Sequence, residues 1–209
     1  LAAGPAATGG DAAVQQLLQR VDIPHETFTL DNGLRVLVHT DRKAPVVALQ
    51  AWYNVGSKDE PKGKTGYAHL FEHIGLFNPT ENLPGGLMEP LRAIGATDWN
   101  GTTWFDRTNF FQTVPTSALE QAMYMESDRM GHLLGALNQE RLDNQRGVVQ
   151  NEKRQGENQP YGKVDDFIAA ATYPPGHPYS WTAIGSEADL NAASVEDVKQ
   201  WFSEHYGAA

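Results

Sequence analysis

Hydrophobic and polar positions regroup several times along the chain, and each grouping predicts an element. Between Ala12 and Arg20, Val14, Leu17 and Leu18 share one face of a short helix that must end before Pro24. FTLDNGLRVLVHT then reads as a hairpin. Phe28 and Leu30 lead into an Asp31-Asn32-Gly33 turn, and Leu34, Val36 and Val38 alternate after it. Val46 to Val55 supplies a third strand. Helical spacing covers Gly66 to Phe77 and again Leu87 to Ile94, where Gly95 stops it. TDWNGTTW and TNFFQTV form a strand pair that turns at Phe105-Asp106-Arg107. After Pro115, Thr116 or Ser117 is the expected cap of a long helix through Met130, with Leu119, Met123 and Met130 in its apolar stripe. Another helix runs from about Gln139 to Gln155. Shorter ones near Val164 to Thr172 and Ser194 to Tyr206 are separated by the Pro174-Pro175-Gly176-His177-Pro178 loop.

Strands come first, helices follow in pairs, and no βαβ unit with a Gly-rich phosphate loop occurs. The fold class is therefore α+β, with a mainly antiparallel sheet packed against helices. The opening LAAGPAATGG has no periodicity, so Leu1 to Gly10 is expected to be disordered. Residues 1–20 form a flexible segment with a short helix, and 21–209 the folded domain. The composition, 40% hydrophobic over 209 residues, is that of a globular chain with a core. A net charge of −10 without any basic run excludes a nucleic-acid-binding surface. No stretch approaches the ~20 apolar residues of a membrane span, so no transmembrane segment is expected. With no Cys at all, disulfides and thiolate chemistry are excluded, and any metal must be held by His and carboxylates.

The segment that carries chemistry is His69-Leu70-Phe71-Glu72-His73. Residues at i, i+3 and i+4 project from one helix face, so two imidazoles and a carboxylate converge. Two His one turn apart can grip one Zn²⁺ while the Glu points at its open position. This is H-x-x-E-H, the inverted metalloprotease helix motif. The same three groups could also be ordinary helix-surface residues. A zinc site of this kind needs a third protein ligand. The candidate is Glu152, in QRGVVQNEKRQGEN, on a helix whose other face carries Val148 and Val149. Among Lys153, Arg154 and Glu157 it reads more readily as a solvated charge.

GYAHLFEHIGLFN, ATDWNGTTWFDRTNFFQTVP, MESDRMGHLL and QRGVVQNEKRQGENQPYG occur in this order, and together they resemble the pitrilysin, insulysin and mitochondrial-processing-peptidase family of zinc metallopeptidases. The similarity is strongest to its bacterial members and runs from about Glu26 to Tyr206. The resemblance implies a processing-peptidase-like half-domain. His69 and His73 are then the first two ligands of one Zn²⁺ per chain, Glu152 the third, and Glu72 the general base acting on a zinc-activated water. It also implies that Asn100, Gly101 and Thr102 lie on an edge strand that pairs with an extended peptide substrate. From the residues alone, Asn100-Gly101 fits a turn as well as a strand.

Three features depart from the family pattern. HIGLFNPTEN is one residue longer than usual after the second His and has Pro79. Gln145 stands seven positions before Glu152, where a Glu is common, leaving an amide in place of a carboxylate beside the metal. The sequence stops at HYGAA, where the family continues into another strand and a second homologous half. The resemblance therefore implies an N-terminal fragment whose second half lies in the same chain or in a partner subunit, and that half supplies Arg and Tyr groups for the substrate.

The expected function is a zinc metalloendopeptidase acting on extended peptides or unfolded segments. Two other readings are a non-catalytic assembly subunit of the same fold and a zinc hydrolase of a small molecule. The Ala/Gly-rich start suggests a periplasmic or secreted protein, with the cytoplasm as the alternative. His25, His39, His132, His177 and His205 have no ligand-spaced partners and are assigned surface or packing roles. Trp52, Trp99, Trp104, Trp181 and Trp201 are expected as core anchors, with Trp99 and Trp104 flanking the substrate strand.

Overall fold

A computed structural model of the chain describes residues 23–207 together with positions 14, 16 and 17, all three helical. The disorder expected for Leu1 to Gly10 and the full extent of the first helix, including Leu18, lie outside the described residues. The chain divides into two units, one ending at Ala44 and the other spanning Pro45–Gly207. The first contains the hairpin of β1 (Glu26–Thr29) and β2 (Arg35–Val38), antiparallel, with Gly33 at φ 91° in its turn. A positive φ at this position is why the turn ends in glycine.

The second unit is built on a three-stranded antiparallel sheet ordered β3-β5-β4, comprising β3 (Val46–Tyr53), β4 (Thr97–Thr103) and β5 (Thr108–Pro115). One face is apolar because its residues alternate inward. Val47 pairs with Val114, Leu49 with Gln112 and Ala51 with Phe110. Against this face lies α1 (Tyr67–Phe77), whose residues from Tyr67 to Leu76 are buried apart from the half-buried His69. Phe110 fits against Gly75, where a Cβ would come within 2.9 Å of the ring. The short α2 (Met88–Ala93) stops just before Gly95, which takes φ 80° beyond the Ile94 cap, as its spacing predicts.

Next comes α3 (Leu119–His132), and here the expectations need correction. Neither Thr116 nor Ser117 caps the helix. They open a 3₁₀ turn, Thr116–Ala118, and the cap position is Ala118. The inward stripe is Ala122, Met125, Glu126 and Arg129, whereas Met123 is 54% exposed. A buried ion pair displaces the expected methionine. Arg129 binds Glu126 at 2.6 Å and lies over the Phe110 ring at 4.1 Å.

The long α4 (Gln139–Glu157) starts at Asn138, whose side chain accepts the Arg141 N–H. After it come α5 (Val164–Thr172), α6 (Glu187–Ala192) and α7 (Val195–His205). The sequence reading missed α6, which has too few residues for helical periodicity to show. Its signal was the Ser186 cap, which accepts the Asp189 N–H. Arg146 on α4 ties the last elements in by donating to the carbonyls of Leu190 and Ala193. Among the described residues, no helix is long and apolar enough to cross a membrane.

Ser194 and Asp197 form a reciprocal capping box on α7, and Asp197 also binds Lys64 at 2.7 Å. Lys64 and Ser194 lower the Asp197 carboxyl to about 2. A carboxylate with a depressed folded pKa stabilises above its unfolded pKa near 4, and that stabilisation fades as the pH falls towards 2. Asp197→Asn should therefore lower stability by ~1 kcal/mol at neutral pH. The gap from wild type, measured by denaturant unfolding, should close near pH 2.

Candidate metal centre

The site is made where α1 passes between the sheet and α4. On α4, Leu142, Gln145 and Val149 point inward at positions spaced three and four apart, and Glu152 continues the same row. Val149 thus shares the inward face with Glu152, contrary to the sequence reading. Val148 is the neighbour that turns towards solvent, 37% exposed.

This row delivers Glu152 to the two imidazoles. Its Oε2 lies 3.8 Å from His69 Nε2 and 3.3 Å from His73 Nε2. The three ligand atoms all fall within 4.8 Å of one another. Atoms bound at about 2.0–2.2 Å around one tetrahedral ion stand about 3.3–3.6 Å apart, so the donor set fits zinc with little adjustment. The rings meet edge to face, 4.7 Å between centroids, and both offer Nε2 to the same point.

The electrostatics suit a cation. Burial lowers the His69 pKa to about 4, with His73 adding to the effect. His73 is also lowered by burial, and Glu152 and Gln145 oppose the shift. Both rings are therefore neutral at pH 7, the form with a lone pair to give. The Gln145 amide is buried and touches His73 without completing a hydrogen bond, since its Oε1 and His73 Nδ1 both remain unpaired.

Glu72 stands beside this trio, 6% exposed, with its Oε2 unpaired. Burial raises its pKa to about 7, with Glu152 adding to the rise, while the Thr103 hydroxyl and the Arg107 guanidinium pull it down. A carboxyl with a pKa near 7 can both accept and return a proton at neutral pH.

Asn100, Gly101 and Thr102 lie in β4, whose second edge is unpaired among the described residues. The strand reading of Asn100-Gly101 therefore replaces the turn. Trp104 N–H bonds Arg107 O and closes the β4–β5 hairpin. Because bonded and non-bonded pairs alternate from there, the backbone groups of Gly101 and Thr103 face the free edge. The Gly101 N–H is covered by Asn100 Oδ1 at 2.9 Å. Off the sheet face, a Cβ at Gly101 would lie 2.9 Å from Glu72 Cγ, so this strand approaches the carboxylate as closely as glycine allows.

Sequence reasoning did not single out Arg107. Its Nη1 donates to Thr102 O and Asn109 Oδ1, and its guanidinium stacks on Trp52 at 5.5 Å. Trp52 and Trp104 are 61% and 59% exposed, which corrects their expected place in the core, whereas Trp201 is buried. Trp52 is exposed because it alternates onto the sheet face away from α1. The other His have local partners, such as Glu81 at 3.0 Å for His132 and the Tyr173 ring for His177.

Two neutral imidazoles and a carboxylate converge beside a second, protonatable carboxylate, and His69, His73 and Glu152 form a group that could hold a metal ion. The chain belongs to the family described as Insulinase (Peptidase family M16), whose sequence profile matches residues 35–179. It is 34% identical over 187 residues to a Helicobacter pylori protein named zinc protease PqqE, covering 87% of this chain and 40% of that protein. A crystal structure of a protease from Helicobacter pylori superposes with a TM-score of 0.83 at 32% identity, over 88% of this chain and 44% of that one. Pitrilysin superposes at 0.76 with 27% identity, over 88% of this chain and 20% of pitrilysin. The chain thus spans under half the length of these relatives.

Gly101→Ala should lower stability by about 1–3 kcal/mol, the usual penalty for forcing an extra carbon into a filled contact. Thermal and denaturant unfolding would measure the loss.

Proposed function

We propose that residues 21–209 are the metal-binding N-terminal domain of a zinc metalloendopeptidase that cleaves extended peptides or unfolded segments. The observation that carries the reading is the convergence of His69, His73 and Glu152 next to buried Glu72. Zinc, when bound there, supplies a Lewis acid that polarises the scissile carbonyl and acidifies a water.

The chain's own residues do the rest. His69, His73 and Glu152 hold the ion, and Gln145 steadies the His73 ring. Glu72 takes up a proton on its carboxylate during attack and returns it to the leaving amine. A peptide adding to the free edge of β4 replaces Asn100 Oδ1 with its own carbonyl at the Gly101 N–H. Because Gly101 touches Glu72, strand addition there brings the peptide backbone to the acid–base group. A small-molecule substrate would not need this edge, and a purely structural subunit would not need the intact donor set. A second homologous half, in the same polypeptide or in another subunit, completes the substrate chamber. The proposed location is the periplasm or the secreted fraction, with the cytoplasm as the alternative.

Metal analysis tests the reading. Purified without chelators, the wild type should carry one zinc per chain, and His69→Ala and Glu152→Ala should carry almost none. Glu72→Gln should keep its zinc while peptide cleavage by the full assembly falls at least 10²-fold, the scale of a lost general base. Cleavage by Glu72→Gln at the wild-type rate would sink the mechanism.

A further inference from the structure

The first turn of α1 is capped from a distance. Its N-cap position is Gly66, at φ 92°, which has no side chain to accept the leading N–H groups. The acceptor is Glu60, eight residues before Ala68 and 4% exposed. Its Oε1 takes the Ala68 N–H at 2.9 Å. Its Oε2 accepts the Trp181 indole N–H at 3.0 Å. The segment after Trp181 is pressed onto the same point. A Cβ on Gly185 would lie 2.4 Å from Gly66 Cα, and Asp189 accepts both the N–H and the hydroxyl of Thr65.

We propose that Glu60 is a positioning residue of the metal centre, which fixes the first turn of α1 through Ala68 and so holds the His69 ring in place. The inference rests on the zinc reading above. Leading helical N–H groups have no intrahelical partner, so the first turn is the one that frays. His69 directly follows Ala68 in that turn, whereas His73 sits a full turn deeper, where the helix holds itself. Glu60 therefore acts on one ligand and spares the other.

The test uses Glu60→Met, which keeps the length and removes both acceptors, and Glu60→Gln, which keeps one for Ala68. Zinc affinity is read by chelator competition, and the two imidazoles by ¹⁵N NMR of the metal-free protein. Glu60→Met should bind zinc roughly tenfold more weakly, the scale on which outer partners of ligands act. The His69 signals should broaden or shift while those of His73 stay, and Glu60→Gln should recover most of the affinity. Unchanged zinc affinity, or equal disturbance of both rings together with a lower melting temperature, would overturn the proposal. Should Glu60→Met fail to fold, Glu60→Ser, whose side chain is too short to reach the Ala68 N–H, serves in its place. Weaker zinc binding with only His69 perturbed supports the proposal, and wild-type values overturn it. A wild type that binds no zinc would refute the parent reading before any Glu60 variant is made.

Discussion

Everything in the second unit depends on burying the ionisable face of one helix. Helix α1 turns His69, Glu72 and His73 inward, where water no longer solvates their charged forms. The rings become neutral donors and the carboxyl becomes a weak acid because the sheet and α4 close around them. The close contacts at Gly75 and Gly101 follow from the same requirement. A helix with so little exposed surface must lie directly on its sheet, and only residues without a Cβ permit that approach.

The buried polar groups elsewhere follow the same rule. Arg129 and Glu126 neutralise each other under Phe110, and Thr80 and Asn82 bind the Asp128 carboxylate. Each is a charge whose removal from water is offset by a partner at hydrogen-bond distance. The first pair meets the sheet through the Phe110 ring and the Gln112 amide, and the Asp128 contacts tie α3 to the loop that follows α1.

Much of this was legible in the sequence, and the exceptions have physical reasons. The strands β3 to β5, helix α1 and the H-x-x-E-H face are set by local periodicity, which spacing along one segment exposes. Glu152 was found through family resemblance, and its facing was misjudged because adjacent Val148 and Val149 look like one apolar face. The row Leu142, Gln145, Val149, Glu152 is visible only once a buried amide is allowed into an apolar stripe. Met123 was misplaced for the converse reason, since a charged pair occupies the position hydrophobicity would give it. Glu60 could not be read at all, because its partners Ala68 and Trp181 meet it only in the fold.

The three proposed ligands are unequal in their access to water. The His69 and His73 side chains are 17% and 6% exposed, but that of Glu152 is 46% exposed. Solvent thus reaches the group through α4: water can solvate the Glu152 carboxylate while the two imidazoles stay covered, so the carboxylate keeps the ordinary chemistry of a surface acid and the rings do not.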